Sequence, residues 1–400
     1  MPILFGVVLL DLVGFGIVIP ILPFLSPQLG ADKLDIALII VTYAACAGLS
    51  GPVWGRLSDR FGRKPVIMIC LAGGALGYVA LGLADSLWMV FAARGFAGLM
   101  AGNFGVASAM MADITGPENR ARGMGLIGAA FGLGMILGPL LGGLLAGDSG
   151  SFTLPCIFAG VMSLLAIVAA ARFLPESLSP QKRELNRKLH SSGDQPSTLA
   201  MLKSSGTRLF VFQYTVHNAC VSSATYLFPL WVADLLSWTA RDVGLVFGVQ
   251  GAIMVFLQGG VMGLLVRMLG EWGLMRIAIL MFIGGFVLAA NADAMPMMVG
   301  SMFLSMSGAT LCMPLLNTII TQRTPAAYRG RVLGTTAAAS SWGRVFGPLF
   351  SGLALGAFGY SATWWALSVV LLWYVAWVMR ESGRSVAATN KMNQGESNEY

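Results

Sequence analysis

Three charges interrupt long apolar runs of this chain: Asp11, Arg94 and Arg344. A charge at the centre of a bilayer costs about 2.5–3.5 kcal/mol even on the lenient insertion scale, so such side chains face a wet cavity or a partner. Asp11 is the one acid deep in a run, which makes it the candidate to exchange a proton. Burial disfavours its charged form and a nearby cation favours it, so a bound substrate could bias its protonation. A purely structural Asp11–Arg94 pair accounts for the same residues. Arg94 does not readily deprotonate, and suits electrostatic tuning of Asp11 or of bound water. Arg344 fits two roles equally, a cavity cation drawing an anionic or polar substrate, or a structural cation bonded to carbonyls.

A second charged feature lies between two apolar runs. Gly55-Arg-Leu-Ser-Asp-Arg-Phe-Gly-Arg-Lys64 packs five charges into ten residues. Gly55 and Gly62 permit close helix approach and a tight turn. Asp59 can meet the positive end of a helix or an arginine, and Arg63, four residues on, can pair with it if the loop is helical. A basic loop explains Arg60, Arg63 and Lys64, but not an acid framed by two glycines. A blurred copy, Gly263-Leu-Leu-Val-Arg-Met-Leu-Gly-Glu-Trp272, follows 208 residues later with Arg267 in place of Asp59.

The elements that must hold these groups are read from composition. Hydrophobic residues make up 56% of the chain and charged ones 11%, too little charge for a soluble surface. Apolar runs of about 20 residues suffice to cross a hydrocarbon core of roughly 30 Å as helices. Twelve are expected, at 3–25, 34–56, 64–84, 87–111, 122–146, 152–174, 208–233, 243–266, 273–291, 296–320, 330–356 and 361–380. No charged n-region or small-residue cleavage site precedes the first run, so no cleaved signal peptide is expected. All of the 25 Lys/Arg except Lys33, Arg241, Arg94 and Arg344 fall on one set of loops and tails. The positive-inside rule then puts both termini in the cytoplasm.

The chain is also duplicated. Arg120-Ala-Arg122-Gly-Met-Gly125 leads to Gly138-Pro139, and Arg329-Gly-Arg331-Val-Leu-Gly334 leads to Gly347-Pro348, at an offset of 209. Two motif pairs at nearly one offset indicate parallel six-helix repeats, as in transporters that rock around a midplane site. The expected division is an N-terminal bundle at 1–174, a cytoplasmic linker at 175–207, a C-terminal bundle at 208–380 and a polar, unstructured cytoplasmic tail at 381–400. The fold class is thus all-α, with twelve membrane helices in two repeats.

The Gly55–Lys64 segment resembles the Gly-x-Leu-x-Asp-Arg-x-Gly-Arg-Lys signature of the major facilitator superfamily. Three further stretches resemble its twelve-span drug/proton antiporter branch, and the tetracycline-efflux-like group in particular. They are Asp11-Leu-Val-Gly14-Phe-Gly16 with Pro20 and Pro23, Arg94-Gly-Phe-Ala-Gly98, and Gly134-Met-Ile-Leu-Gly138-Pro139-Leu-Leu-Gly142-Gly143. The last resembles the exporter motif. Physically, its glycines form a smooth stripe for close packing and Pro139 allows a bend. The resemblance implies proton-coupled antiport of a small amphipathic compound, with Asp11 and Arg94 in proton coupling and a gate joining Asp59, Arg63 and Asp113. Asp113 is equally well placed as a cap near a helix end. The tetracycline exporters carry a histidine and an acid in their eighth and ninth spans, and neither is present here.

Gln213, His217, Asn218, Gln250 and Asn317, with Arg344, are the candidate cavity-lining groups, set among aromatics and methionines. Most polar residues in such positions serve helix packing. No cofactor is expected: there is no phosphate-binding Gly-x-x-x-x-Gly-Lys-Ser/Thr loop, and two histidines cannot make a multi-histidine metal site. The five cysteines suit neither zinc nor a disulfide framework. The expected partners are a small-molecule substrate, protons and the lipid bilayer, without nucleic acid. The expected protein is a monomer of the bacterial inner membrane and no enzyme. A symporter or facilitator importing a metabolite or metal chelate, and a transporter-like sensor or scaffold, are the rival readings.

Overall fold

The computed structural model describes residues 1–115, 120–147, 152–178, 181, 208–324 and 329–396, and the regular structure in them is helical. In chain order the helices are α1 (Pro2–Val18), α2 (Leu22–Gln28), α3 (Lys33–Phe61), α4 (Arg63–Gly82), α5 (Leu87–Leu99), α6 (Asn103–Ile114), α7 (Arg120–Ala146) and α8 (Thr153–Phe173). There follow α9 (Arg208–Leu236), α10 (Ala240–Val255), a π-helical turn (Phe256–Val261), α11 (Met262–Ala290), α12 (Met295–Arg323) and α13 (Arg329–Glu396).

Among the described residues nine helical stretches are long and apolar enough to cross a membrane, and α1 with α2, bent by 46°, makes a tenth. Pro20 and Pro23 lie at that bend. Two of the nine, Ala240–Ala290 and Ala338–Gly383, run to 51 and 46 residues. At 1.5 Å per residue each is roughly 70 Å long, about twice a bilayer core. Each is broken by a glycine in the positive-φ region, Gly270 (φ 70°) and Gly359 (φ 78°). Counted on either side of those breaks, the helices are consistent with twelve crossings.

The duplicated motifs occupy matching structural positions. Gly62 (φ 109°) closes α3 and lets α4 begin at once, and Gly270, 208 residues on, makes the corresponding break. A side chain at either position would strain a backbone that glycine adopts freely. Gly55 is different. A Cβ there would meet nothing, so it does not mark the close helix approach expected of it. The Gly138-Pro139 and Gly347-Pro348 copies also match: Gly138 abuts Gly16 of α1, and Gly347 abuts Ala219 of α9.

Two buried clusters fill the first half, one around Leu4, Val66, Val106 and Met110, the other around Ile17, Ile21, Ile39 and Val90. A third, built mainly from α9, α11, α12 and α13, fills the second half and takes in Ile36 and Ala37 of α3. Most of the expected linker, with its basic stretch from Lys182 to Lys188, lies outside the described residues. Helix α13 continues to Glu396, where composition suggested an unstructured tail. Extending an existing helix needs no new nucleus, and composition alone does not register that continuity.

Candidate functional site: an intramembrane acid and a charged gate

Asp11 lies in the middle of α1, on a face shared with Val7 and Val8. It lines a small crevice closed by Ile67 and Leu71 of α4 and by Asn103, Phe104 and Ala107 of α6. The Asn103 side-chain amide donates to Asp11 Oδ2. Asn103 is a polar partner absent from the candidates above; its signal is a Gly-Asn pair in the apolar span that also carries Arg94. The span is divided there, with α5 ending at Leu99 and α6 starting at Asn103.

Arg94 of α5 does not pair with Asp11. It is 5% exposed, and its guanidinium stacks over the Tyr43 ring of α3 at 4.3 Å. Its Nε has no hydrogen-bond partner among the described residues. Tyr43 lies within electrostatic reach of Arg94, Asp11 and Arg344, so one aromatic ring stands among all three intramembrane charges. Arg344, on α13, is exposed and donates to Ser341 Oγ at 3.2 Å and Ser340 Oγ at 3.4 Å. Its hydrogen-bond partners are therefore two serine hydroxyls of its own helix.

The charged segment folds as a compact cluster. Arg63, 8% exposed, reaches Asp59 Oδ1 at 2.8 Å, Asp113 Oδ2 at 3.1 Å and Ser58 Oγ at 2.5 Å. The arginine fork thus joins the end of α3 to the end of α6. Glu176 completes the cluster by accepting the Arg63 and Lys64 backbone N–H groups at 3.0 and 3.2 Å. These are the first N–H groups of α4, so an acid there meets the positive helix end. The second half keeps a weakened copy. Glu271 and Gln322, at offsets of 208 and 209 from Arg63 and Asp113, are joined by a hydrogen bond of 2.9 Å. An ion pair in one half is an amide–carboxylate contact in the other.

The Gly134–Gly143 stripe lies along α7 and serves two partners. Cβ atoms at Gly134, Gly138 and Gly142 would strike the Leu12, Gly16 and Ile17 backbone of α1. One at Gly143 would strike Ala240 and Gly244 of α10, across to the second half. The Pro139 carbonyl also faces Gly244. The pattern repeats at an offset of 209, with Gly352 of α13 packing on Ala37 of α3.

The polar groups of the second half are mostly packed inward. Gln213 and His217 are 0% and 1% exposed, and the His217 ring sits 5.5 Å from Phe282 and 6.2 Å from Tyr374. This places both in the core of the second half, not on an open cavity wall. Asn218 accepts from Ser340 Oγ at 2.9 Å and donates to the Tyr214 carbonyl. Asn317 accepts from the Tyr214 hydroxyl at 2.7 Å. Gln250 is buried on α10. Polar side chains set among aromatics and methionines occur in cavity walls and in cores alike, so composition does not separate the two.

The far end of the bundle carries a tie between the halves. Lys33 Nζ meets Asp234 Oδ2 at 2.5 Å and lies 4.9 Å from the Tyr360 ring centroid. The Tyr360 hydroxyl donates to Asp234, and Tyr226 donates to the Lys33 carbonyl. Lys33 opens the 29-residue α3 that ends beside Asp59, so this tie and the Arg63 cluster are about 40 Å apart. The pair is part-exposed, and such pairs are worth about 0–1 kcal/mol, with a cation–π contact adding about 0.5–1. Lys33→Ala is expected to lower the transport rate by a few-fold, as are Lys33→Asp and Asp234→Lys singly. Lys33→Asp combined with Asp234→Lys should recover most of the loss, and a double variant no better than the single ones would show that this tie plays no part.

The Major Facilitator Superfamily profile matches residues 4–334 and 271–396. The chain belongs to the major facilitator superfamily. It is 31% identical over 369 residues to the class C tetracycline resistance protein of Escherichia coli, covering 91% of this chain and 90% of the relative. It is 26% identical over 364 residues to the class H protein of Pasteurella multocida, covering 90% and 89%. The crystal structure of the human organic anion transporter MFSD10 (TETRAN) superposes with a TM-score of 0.73 at 23% identity, over 94% of this chain and 98% of that one. As a major facilitator superfamily member the chain is a multi-pass membrane transporter and not an enzyme.

Proposed function

We propose that the chain is a proton-coupled antiporter that exports a small amphipathic compound across a bacterial inner membrane by alternating access. The observation that carries this reading is Asp11, an acid held by Asn103 in a crevice in mid-span. Such a group can bind a proton from one side and release it to the other as the helices around it move. The halves 1–174 and 208–380 rock against each other, with α7 on α10 and α3 on α13 as bearing surfaces. The polar ties between the halves at the Lys33 end support a state closed there. With both termini cytoplasmic, as the loop charges indicate, that state opens to the cytoplasm. The Asp59–Arg63–Asp113 cluster, made within the first half and intact in that state, then acts as the latch of the inner gate. The names of the tetracycline resistance relatives support outward transport.

The test is purified protein in liposomes under an imposed pH gradient, challenged with tetracycline, ethidium and chloramphenicol as zwitterionic, cationic and neutral probes. Antiport gives proton movement that starts on addition of a probe and saturates with its concentration. Saturable binding of a probe with no proton movement from any of the three would sink the reading.

A further inference from the structure

We propose that Asn103 is the positioning residue through which the protonation state of Asp11 reaches the Arg63 gate, with α6 as the rigid connector. The inference rests on the proton-antiport reading and assigns it a transmission element.

Helix α6 is bonded at both ends to the groups in question. At its first residue, Asn103 donates its side-chain amide to Asp11 and accepts the Phe104 N–H at 3.0 Å, so both ends of the amide are committed. In its last turn, Asp113 accepts from Arg63 Nε at 3.1 Å and from Ser177 Oγ at 3.4 Å. Asn103 and Asp113 both sit on the twelve-residue α6, about 15 Å apart along its axis. Val106, Ala107, Met110 and Met111 bury one face of it in the first-half core. A single short helix transmits displacement because it does not bend over three turns.

The span is also built to let α6 move apart from α5. Residues 100–102 turn between the two helices, and the Leu99 carbonyl released there is taken by Trp54 Nε1 at 2.6 Å. Gly102 leaves room for the Trp54 ring, which a Cβ would strike. The break therefore has its own hydrogen-bond partner and does not depend on continuous helix. Arg94 stays with α5 on its Tyr43 stack, while Asn103 and Asp113 travel together.

The coupling follows from hydrogen-bond strength. An ionised carboxylate accepts a charge-assisted bond roughly twice as strong as a neutral acceptor does. Proton uptake at Asp11 weakens the Asn103 tie and frees the start of α6, and the displacement arrives at Asp113 and its arginine. The titratable groups within electrostatic reach of Asp11 are Tyr43 on α3 and Cys70 and Tyr78 on α4. Helix α7 has none from Gly123 onward, and on α8 Cys156 neighbours Arg94 while Arg172 lies at the gate end. None of these is bonded to both Asp11 and the gate; Asn103 and Asp113 share one helix.

The experiment is hydrogen–deuterium exchange of the full-length protein in nanodiscs, followed on peptides covering 55–64 and 104–114, with Asp11→Asn standing for the protonated acid. Asp11→Asn is expected to raise exchange in 55–64 about tenfold, equivalent to about 1.4 kcal/mol of gate opening. In an Asn103→Ala background the same change should move it less than about twofold, by double-mutant-cycle logic. Asn103→Ser repeats the test should the alanine variant prove poorly folded, and should keep part of the response through its hydroxyl. An Asp11→Asn effect of equal size in both backgrounds, or none in the native background, would overturn the proposal. Proton flux measured on the same variants reconstituted in liposomes separates the two readings. Flux without an Asn103-dependent response rejects the connector alone, whereas no flux from the native chain rejects antiport and the connector with it.

Discussion

Asp11→Asn is expected to abolish proton-driven accumulation of substrate while leaving substrate exchange across the membrane intact. Asparagine has nearly the shape of the acid and can still accept from Asn103, so the packing of α1 against α4 and α6 is preserved. What it cannot do is carry a proton. One proton exchanged per substrate across a gradient of two pH units supplies about 2.7 kcal/mol, enough for a roughly 100-fold substrate ratio. Without a titrating group that ratio falls to about one. The measurement is the steady-state distribution, in liposomes, of whichever probe elicits proton flux, compared with counterflow of the same probe without a pH gradient. A variant that still accumulates probe 100-fold would remove Asp11 from the coupling mechanism. Asp11→Glu is the companion. It keeps the proton but moves it one methylene from Asn103, so it should retain accumulation at a reduced rate.

The architecture was legible because lipid leaves the backbone few options. Apolar runs of fixed length must be helices, and the motif copies at offsets of 208 and 209 located the repeat before any contact was known. Gly62 and Gly270 then proved to share a backbone conformation. The Asp59–Arg63 ion pair was legible because the two residues are one helical turn apart, close enough for local geometry to pair them. Asp11 and Arg94 were legible as expensive charges, but their partners were not. Asn103 and Tyr43 are ordinary residue types in ordinary places, and only the packing of α1, α3, α5 and α6 brings them to those charges. His217 shows the converse. A histidine in a membrane span attracts a functional reading, yet the packing of α9 on α11 and α13 encloses it among Phe282 and Tyr374.

The glycine stripe of α7 yields the second large effect, because its two faces do different things. A Cβ at Gly138 would lie 2.5 Å from Gly16 Cα and 2.8 Å from the Val13 carbonyl oxygen. Both are backbone atoms within the first half, so no rotamer change relieves the collision. Gly138→Val should force α1 from α7 and cost about 1–3 kcal/mol or more, read as a lower unfolding temperature and poor recovery of folded protein. At Gly143 a Cβ would lie 2.6 Å from the Ala240 carbonyl oxygen and 2.9 Å from Gly244 Cα, both across the interface between the halves. Gly143→Val therefore leaves each half intact and opposes only the state in which α7 and α10 are in contact. A penalty of about 3 kcal/mol on one of two states shifts their ratio roughly 100-fold. The expected result is a variant that melts close to the native temperature but transports at no more than a few per cent of the native rate, because one half of the cycle is depopulated. Native transport by Gly143→Val would show that the α7–α10 contact is not a bearing surface of the cycle. Equal unfolding of both variants would show that the two halves fold as one cooperative unit, with no separable interface for the stripe to serve.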